Sequence, residues 1–270
     1  MIPRRDLPVR VAARAELSPT CFRLTLSTPE VIDAAPGQFG MLACADTFDP
    51  LLRRAFSLAG VVRRVGRTEV DLLIKEVGRG TTRLRHTAVG ADLRLLAPLG
   101  KGFTLEGGDR PLALVAGGIG LPPVLFAAEV LAARGVSFDL FLGAVTGKEL
   151  LEVERCGRAA AAVGGDLVLA TDDGSRGEGG FVTDAVDRRL EAGRSYTRVL
   201  ACGPDPMLRA MAKVGHRRGV EVELSLEEAM ACGVGVCLGC VVELSDGSVV
   251  PSCKEGPVFT AGRLAARWWS

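Results

Sequence analysis

The residues with the most specific chemical promise are four cysteines near the C-terminal end. Cys232, Cys237, Cys240 and Cys253 fall within 22 residues and are spaced C-x4-C-x2-C-x12-C. Two iron atoms bridged by sulfide need four thiolates converging from two directions. A tight loop supplies three of them and a returning segment the fourth, and this is the plant-type [2Fe–2S] spacing. Gly233, Gly235 and Gly239 suit such a loop, because glycine admits the backbone angles that turn amides toward sulfur. Structural zinc also takes four thiolates and is the alternative. Zinc sites more often pair two C-x2-C knuckles, and this segment has one.

Other segments point to phosphate and ring binding. Arg54-Ala55-Phe56-Ser57 opens a strand, Leu73-Ile74-Lys75 lies on another, and Gly80-Thr81 starts a short helix. An arginine with the backbone amides of a helix N-terminus can hold a pyrophosphate, while a Phe and a Ser meet a flat ring and its polar edge. The plainer alternative is a solvated arginine and a core phenylalanine. Residues 112–120, followed by Pro122, read as strand, glycine-rich turn and helix, a pattern that suits a nucleotide close to the backbone through Gly118 and Gly120. Pro123 stands where the dinucleotide fingerprint has its third glycine, and no acidic residue closes the strand at 138–144. Cys202-Gly203-Pro204 again ends a strand and opens a helix, the end of a strand where ligands of open α/β sheets sit. Cys202 itself reads equally well as a small packing residue.

Several chemistries lack their residues. His86 and His216 are the only histidines, each in a polar helical context, and neither HExxH nor G-x-S-x-G occurs. Asp172-Asp173 and Glu227-Glu228 are adjacent pairs that would diverge, so acid–base hydrolysis by paired carboxylates has no support. No catalytic side chain is assigned.

The elements that must position these residues follow from local pattern. Residues 9–15, 21–27, 38–43, 56–62, 69–77 and 93–97 are short, partly alternating segments between Pro/Gly turns, which predicts a small β-barrel. A short helix is expected from Thr81. From about residue 110, strands at 112–116, 138–144, 167–171 and 199–202 alternate with helices near 122–134, 149–162, 183–191 and 207–218. That alternation predicts a parallel sheet covered on both faces. The expected division is therefore a barrel over 1–106, an α/β domain over 107–222 and a small metal-held domain over 223–270. Composition agrees with a folded chain: 270 residues, 48% hydrophobic, 24% charged, and a formal charge of +1 that favours neither nucleic acid nor an acidic membrane. Residues 1–10 carry charge with no apolar run behind them, and no stretch reaches the roughly 18 apolar residues of a membrane span, so a cytoplasmic protein is expected. Cys21, Cys44, Cys156 and Cys202 are scattered singly and read as buried small residues. Trp268-Trp269 is expected to pack against the core.

With the motifs in this order, the chain resembles the electron-transfer subunits of class 1B dihydroorotate dehydrogenases, within the ferredoxin–NADP reductase superfamily. Arg54–Ser57 is similar to that superfamily's Arg-x-aromatic-Ser flavin motif. Pro98-Leu99-Gly100-Lys101-Gly102-Phe103 resembles the turn between its two larger domains. Gly117–Gly120 with Pro122-Pro123, and Cys202-Gly203-Pro204, resemble its nicotinamide segments. Ser225-Leu226-Glu227-Glu228, with the cysteine loop and Cys253-Lys254-Glu255-Gly256-Pro257-Val258-Phe259, resembles its cluster domain. The resemblance implies FAD contacts at Arg54, Ala55, Phe56, Ser57, Leu73, Ile74, Lys75, Gly80 and Thr81. The family usually has Pro at Ala55 and an aromatic-Arg pair at Ile74-Lys75. It further implies NAD at Gly118, Gly120, Cys202 and Gly203, and a [2Fe–2S] cluster on the four cysteines. The partner it implies is an FMN-containing subunit that oxidises dihydroorotate, in a heterotetramer with two copies of each chain. Electrons would pass singly through the cluster to FAD and then as hydride to NAD⁺. NAD is preferred to NADP because Val145-Thr146-Gly147-Lys148, after the strand at 138–144, offers no arginine for a 2′-phosphate, although Lys148 could serve. A flavin-based transhydrogenase or sulfide dehydrogenase subunit shares this architecture but tends to use Asp as one cluster ligand. A zinc-stabilised binding module is the remaining alternative.

Overall fold

The computed structural model describes residues 5–45 and 49–268. Its first part is a seven-stranded antiparallel sheet, rolled into a barrel-like shape, of order β4-β3-β7-β1-β2-β6-β5. The strands are β1 (Arg5–Glu16), β2 (Cys21–Thr28), β3 (Phe39–Leu42), β4 (Arg54–Ser57), β5 (Gly60–Arg64), β6 (Arg67–Lys75) and β7 (Asp92–Leu99). Side chains alternate across a strand, so Leu7, Val9 and Val11 of β1 and Phe22, Leu24 and Leu26 of β2 all turn into one core. The single strand expected at 56–62 is two. Buried Leu58 and Ala59 separate them: Leu58 N–H donates to Gln38 and Ala59 N–H to Asp71. Those bonds carry the chain from one sheet edge to the other. The apolar run through 56–62 hides the break. Helix α1 (Arg79–Arg85) follows β6.

The second sheet has the order β11-β10-β9-β8-β12-β13-β16. Its strands are β8 (Leu112–Gly117), β9 (Phe138–Ala144), β10 (Leu167–Thr171), β11 (Glu178–Gly179), β12 (Val199–Cys202), β13 (Val222–Ser225) and β16 (Val258–Thr260). Only β16, paired with β13, runs antiparallel to its neighbour. Helices α2 (Leu121–Ala133) and α3 (Val153–Ala161) cover one face, and α4 (Val182–Glu191) and α5 (Asp205–Arg218) the other. Burial on both faces makes the central strands continuously apolar. The helix expected from 149 starts at Val153, because Glu152 sits in the left-handed region at φ 51°.

The boundary expected after residue 222 cuts strand β13. The last segment returns β16 to the same sheet and inserts between them the cysteine loop, a hairpin of β14 (Val241–Glu243) and β15 (Val249–Pro251), and helix α6 (Ser252–Glu255). Trp268 is buried with the Arg209 guanidinium 4.8 Å over its ring, while Trp269 lies outside the described residues. No described helix is long and apolar enough to cross a membrane.

Candidate functional site

The four clustered cysteines are held as two couples. Cys232 meets Cys237 on the outer part of the loop, where Cys237 is exposed. Cys240 meets Cys253 in the interior, both essentially buried. Each iron of a [2Fe–2S] cluster takes two thiolates beyond its bridging sulfides, so two couples are the arrangement the chemistry asks for. Backbone N–H groups of Cys237, Val234 and Val236 turn toward the Cys232 sulfur and bring its thiol down to about 6. Burial and the neighbouring Cys240 push Cys253 up to about 12. A bound metal would offset that cost by taking the thiolate as ligand. The N–H groups of Val234 and Cys253 each lie 3.5 Å from a sulfur, of Cys232 and Cys240 respectively. Gly233 and Gly235 have φ of 69° and 82°, as a loop with inward amides requires. Gly239 does not; Leu238 takes the left-handed conformation instead, at φ 56°.

This loop rests on the barrel. A Cβ at Gly233 would lie 2.6 Å from Met41 Cγ, and Phe39, Met41 and Leu99 form one apolar cluster with Cys240 and Cys253. Phe39 also borders a cleft of about 350 Å³ between the two sheets. Arg54, Ala55, Phe56, Ser57, Leu73, Lys75 and Thr81 line it from the barrel side; Gly120, Cys202 and Gly203 line it from the α/β side. The structure thus brings together expected contacts up to 149 positions apart in the chain (Arg54 and Gly203).

Three expected contacts fall outside the lining. Ile74 points the other way on its strand, into the barrel core, between Leu73 and Lys75. Gly80 clears space: a Cβ there would lie 2.9 Å from Arg54 Nε and 3.1 Å from Cys44 Sγ. The Arg54 guanidinium therefore lies over the first turn of α1, where Nη1 donates to the Leu52 carbonyl at 2.5 Å. Gly118 has φ 52° and nothing within 4 Å of its missing side chain, so its backbone is open to close approach. Gly120 is different, since a Cβ would run into the Cys202 carbonyl. The two glycine-rich turns touch there.

Cys202 pairs in parallel register with Ser225. Burial pushes its thiol up to about 12, against a hydrogen bond with the Ser225 hydroxyl. Ser225, Leu226, Glu227, Glu228 and Met230 also line the cleft. From the sequence Glu227-Glu228 reads as a diverging carboxylate pair in no site; with β13 a strand of the main sheet, the carboxyl end that leads into them must reach the cleft. A second omission concerns the turn after β9. Gly147 N–H donates to Ser175 Oγ at 2.8 Å, and a Cβ on Gly147 would lie 2.7 Å from Arg176 Cβ. Arg176 of the next turn therefore lies beside residues 145–148, outside the cleft lining. His86, just past the end of α1, and His216 of α5 are exposed and away from the lining.

The two halves of the cleft are clamped by charge. Arg155 of α3 donates to both oxygens of Glu129 on α2, at 3.0 and 3.1 Å, and to Asp71 of β6 at 3.3 Å. Arg23 of β2 reaches buried Glu152 at 2.7 Å.

Comparisons with known proteins agree with this geometry. Residues 227–265 match the family model described as the iron-sulfur cluster binding domain of dihydroorotate dehydrogenase B, and residues 114–213 match the oxidoreductase NAD-binding domain. The chain is 39% identical over 260 residues to the dihydroorotate dehydrogenase B (NAD(+)) electron transfer subunit of Geobacillus thermodenitrificans, covering 94% of this chain and 96% of that one. Among solved structures, the NADH-dependent reduced ferredoxin-NADP oxidoreductase, studied for flavin-based electron bifurcation, superposes with a TM-score of 0.83 at 26% identity, covering 98% of this chain and 91% of that one. The flavohem-like FAD/NAD binding domain of nitric oxide dioxygenase from Vibrio cholerae shares the fold, with a TM-score of 0.67 at 22% identity, over 80% of this chain and 95% of that one.

Proposed function

The chain belongs to the family of dihydroorotate dehydrogenase B electron transfer subunits, and on that premise we propose how its residues divide the work. It is an oxidoreductase subunit that passes electrons between a catalytic partner and NAD in pyrimidine biosynthesis, with FAD and an iron–sulfur cluster as cofactors. When bound, FAD and a [2Fe–2S] cluster supply the exchange between one-electron carriage and the two-electron reduction that nicotinamide requires. Cys232 and Cys237 would hold one iron on the outer side, and buried Cys240 and Cys253 would hold the other. Arg54, over the first turn of α1, neutralises the pyrophosphate of FAD, and Phe56, Ser57, Leu73, Lys75 and Thr81 frame its ring. Ala55 and Ile74 contribute backbone only, and Gly80 gives Arg54 its place. Gly118, Gly120, Cys202 and Gly203 admit the nicotinamide nucleotide from the other side.

The barrel over 1–106, the α/β unit over 107–222 and the cluster unit over 223–270 keep these three tasks, with β13 and β16 stitching the last to the second. The partner is an FMN-containing subunit that oxidises dihydroorotate, assembled as two copies of each chain in the cytoplasm. Exposed Val236, Leu238 and Val241 surround exposed Cys237 and offer it an apolar docking face. The observation that carries the reading is the shared packing of Phe39. It belongs to the apolar cluster that holds the buried thiol couple and also lines the cleft, which supports two cofactor sites parted by a thin apolar layer. The transhydrogenase alternative loses weight because all four ligand positions are cysteine.

The test is anaerobic copurification with the FMN subunit, followed by addition of dihydroorotate and NAD⁺. NADH formation that requires both chains is the expected result. A different redox subunit copurifying, with no response to dihydroorotate, would overturn the partner assignment.

A further inference from the structure

Ser252, the first residue of α6, is fully buried, and its hydroxyl is the one buried side-chain polar atom without a hydrogen-bond partner among the described residues. A hydroxyl left in that condition gives up its hydrogen bond to water and gains nothing in return, so a partner is expected for it. Its backbone is fixed at both ends: the N–H donates to the Cys240 carbonyl at 2.8 Å, and the carbonyl accepts from Gly256 at 2.9 Å. The next residue is Cys253, whose own N–H lies 3.5 Å from Cys240 Sγ. Ser252 is therefore bracketed by the two cysteines of the inner couple. The apolar side chains packed with that couple include Phe39, Met41 and Leu99, none of which accepts a hydrogen bond through its side chain with any strength.

We propose that the Ser252 hydroxyl donates its hydrogen bond to a sulfur of the bound cluster on its buried side, and that this bond raises the reduction potential of the cluster. The inference rests on the [2Fe–2S] reading above. Reduction adds one electron, breaks no bond and leaves the proton on Ser252 Oγ. The added negative charge makes sulfur a better acceptor, so the bond stabilises the reduced form more than the oxidised one, as hydrogen bonds to cluster sulfurs generally do. An inner donor of this kind would favour withdrawal of an electron from the partner.

The test is an EPR-monitored redox titration of the full-length chain, purified anaerobically with its flavin and cluster. Ser252→Ala is expected to shift the oxidised-to-reduced ratio at a fixed potential about tenfold toward the oxidised form, a fall of about 59 mV for a one-electron couple. The flavin titration followed by absorbance stays in place, and Ser252→Thr, which keeps the hydroxyl, restores the cluster midpoint. Ser252→Gly repeats the measurement should the alanine variant load iron poorly. An unmoved midpoint in a hydroxyl-less variant with an intact cluster signal overturns this inference alone. A wild-type chain that carries zinc and no iron overturns it together with the reading on which it rests.

Discussion

On the proposed reading the cysteine loop and the cleft are both cofactor sites, yet they are encoded in opposite ways. In the loop, function resides in four side chains at fixed spacing within 22 residues, and the backbone serves them through Gly233, Gly235 and inward amides. In the cleft, function resides largely in backbone surfaces and in residues drawn from two sheets, and no short segment contains the site. The contrast teaches that a site made of ligands survives as a motif, whereas a site made of space between elements exists only once the elements have packed.

The sharpest way to break this comparison is Cys240→Ser. Removing one thiolate of the inner couple is expected to abolish the cluster and, with it, dihydroorotate-dependent NADH formation, because hydroxyl is a poor ligand for iron–sulfur centres. Flavin content and direct oxidation of NADH by an artificial acceptor should survive, since Cys240 does not line the cleft. Iron analysis, flavin absorbance and the two assays decide it. Loss of flavin along with iron would mean that the apolar layer of Phe39, Met41 and Leu99 makes the two regions one site.

Gly120→Ala strikes the cleft and leaves the loop. The new methyl would meet the Cys202 carbonyl and the Gly203 nitrogen, both backbone atoms that cannot rotate away. The two glycine-rich turns must then separate, which is expected to cost about 1–3 kcal/mol of stability and about ten- to a hundredfold in NADH oxidation through misplacement of the nucleotide. Gly118→Ala provides the contrast, because open space surrounds it and only its φ of 52° opposes a side chain. Stopped-flow reduction of the flavin by NADH measures both, with iron content unchanged.

The same contrast explains what was legible in the sequence. The cysteine motif and the strands at 138–144, 167–171 and 199–202 were readable because spacing and apolar runs are local. The β4–β5 break was hidden, since Leu58 and Ala59 are as apolar as the strands they separate. Strand β13 was missed because four residues between a helix and a cysteine motif carry little period, and with it went the placement of Ser225, Glu227 and Glu228 in the cleft. Ile74 was assigned to the site by the family resemblance, and strand alternation sends its side chain into the barrel core. Arg176 next to Gly147 is a contact between separate turns, which spacing cannot express.

Arg155→Ala tests the joint. The cysteine loop rests on β3 and β7, whereas Arg155 ties α2 and α3 to β6, with Arg23 of β2 on neighbouring Glu152. Its removal leaves Glu129 and Asp71 without their shared cation, at an expected cost of about 1–3 kcal/mol and about 2–8 °C in Tm for a chain of this size. Arg155→Lys should recover only part, lacking the fork that grips both Glu129 oxygens. Calorimetry on protein with its cofactors reads the loss, and NADH reduction of the flavin should slow a few-fold while iron content holds. A fall in iron content would show that the clamp also supports the loop.

The smallest effect is expected from Cys202→Ala, and it separates a cysteine of the cleft from those of the loop. Burial holds the Cys202 thiol up at about 12, so it is neutral wherever the enzyme works and contributes no ionisation to the pH profile of NADH oxidation. In the unfolded chain the same thiol ionises near its ordinary value of about 8.5. Between those two values the unfolded state has lost a proton that the folded state keeps, so fewer protons are bound on unfolding and stability falls as pH rises. The loss is about 1.4 kcal/mol for each pH unit above the unfolded value, and none of it is present at neutral pH. Cys202→Ala removes that alkaline loss while giving up only the thiol's packing and its bond to Ser225, so its stability should gain on wild type from about pH 9 upward. Denaturant titrations at pH 7 and pH 10 measure the difference. Equal slopes for the two proteins would mean that Cys202 is as solvated as a thiol on an open loop, and the tight seam between the turns of β8 and β12 would lose its support.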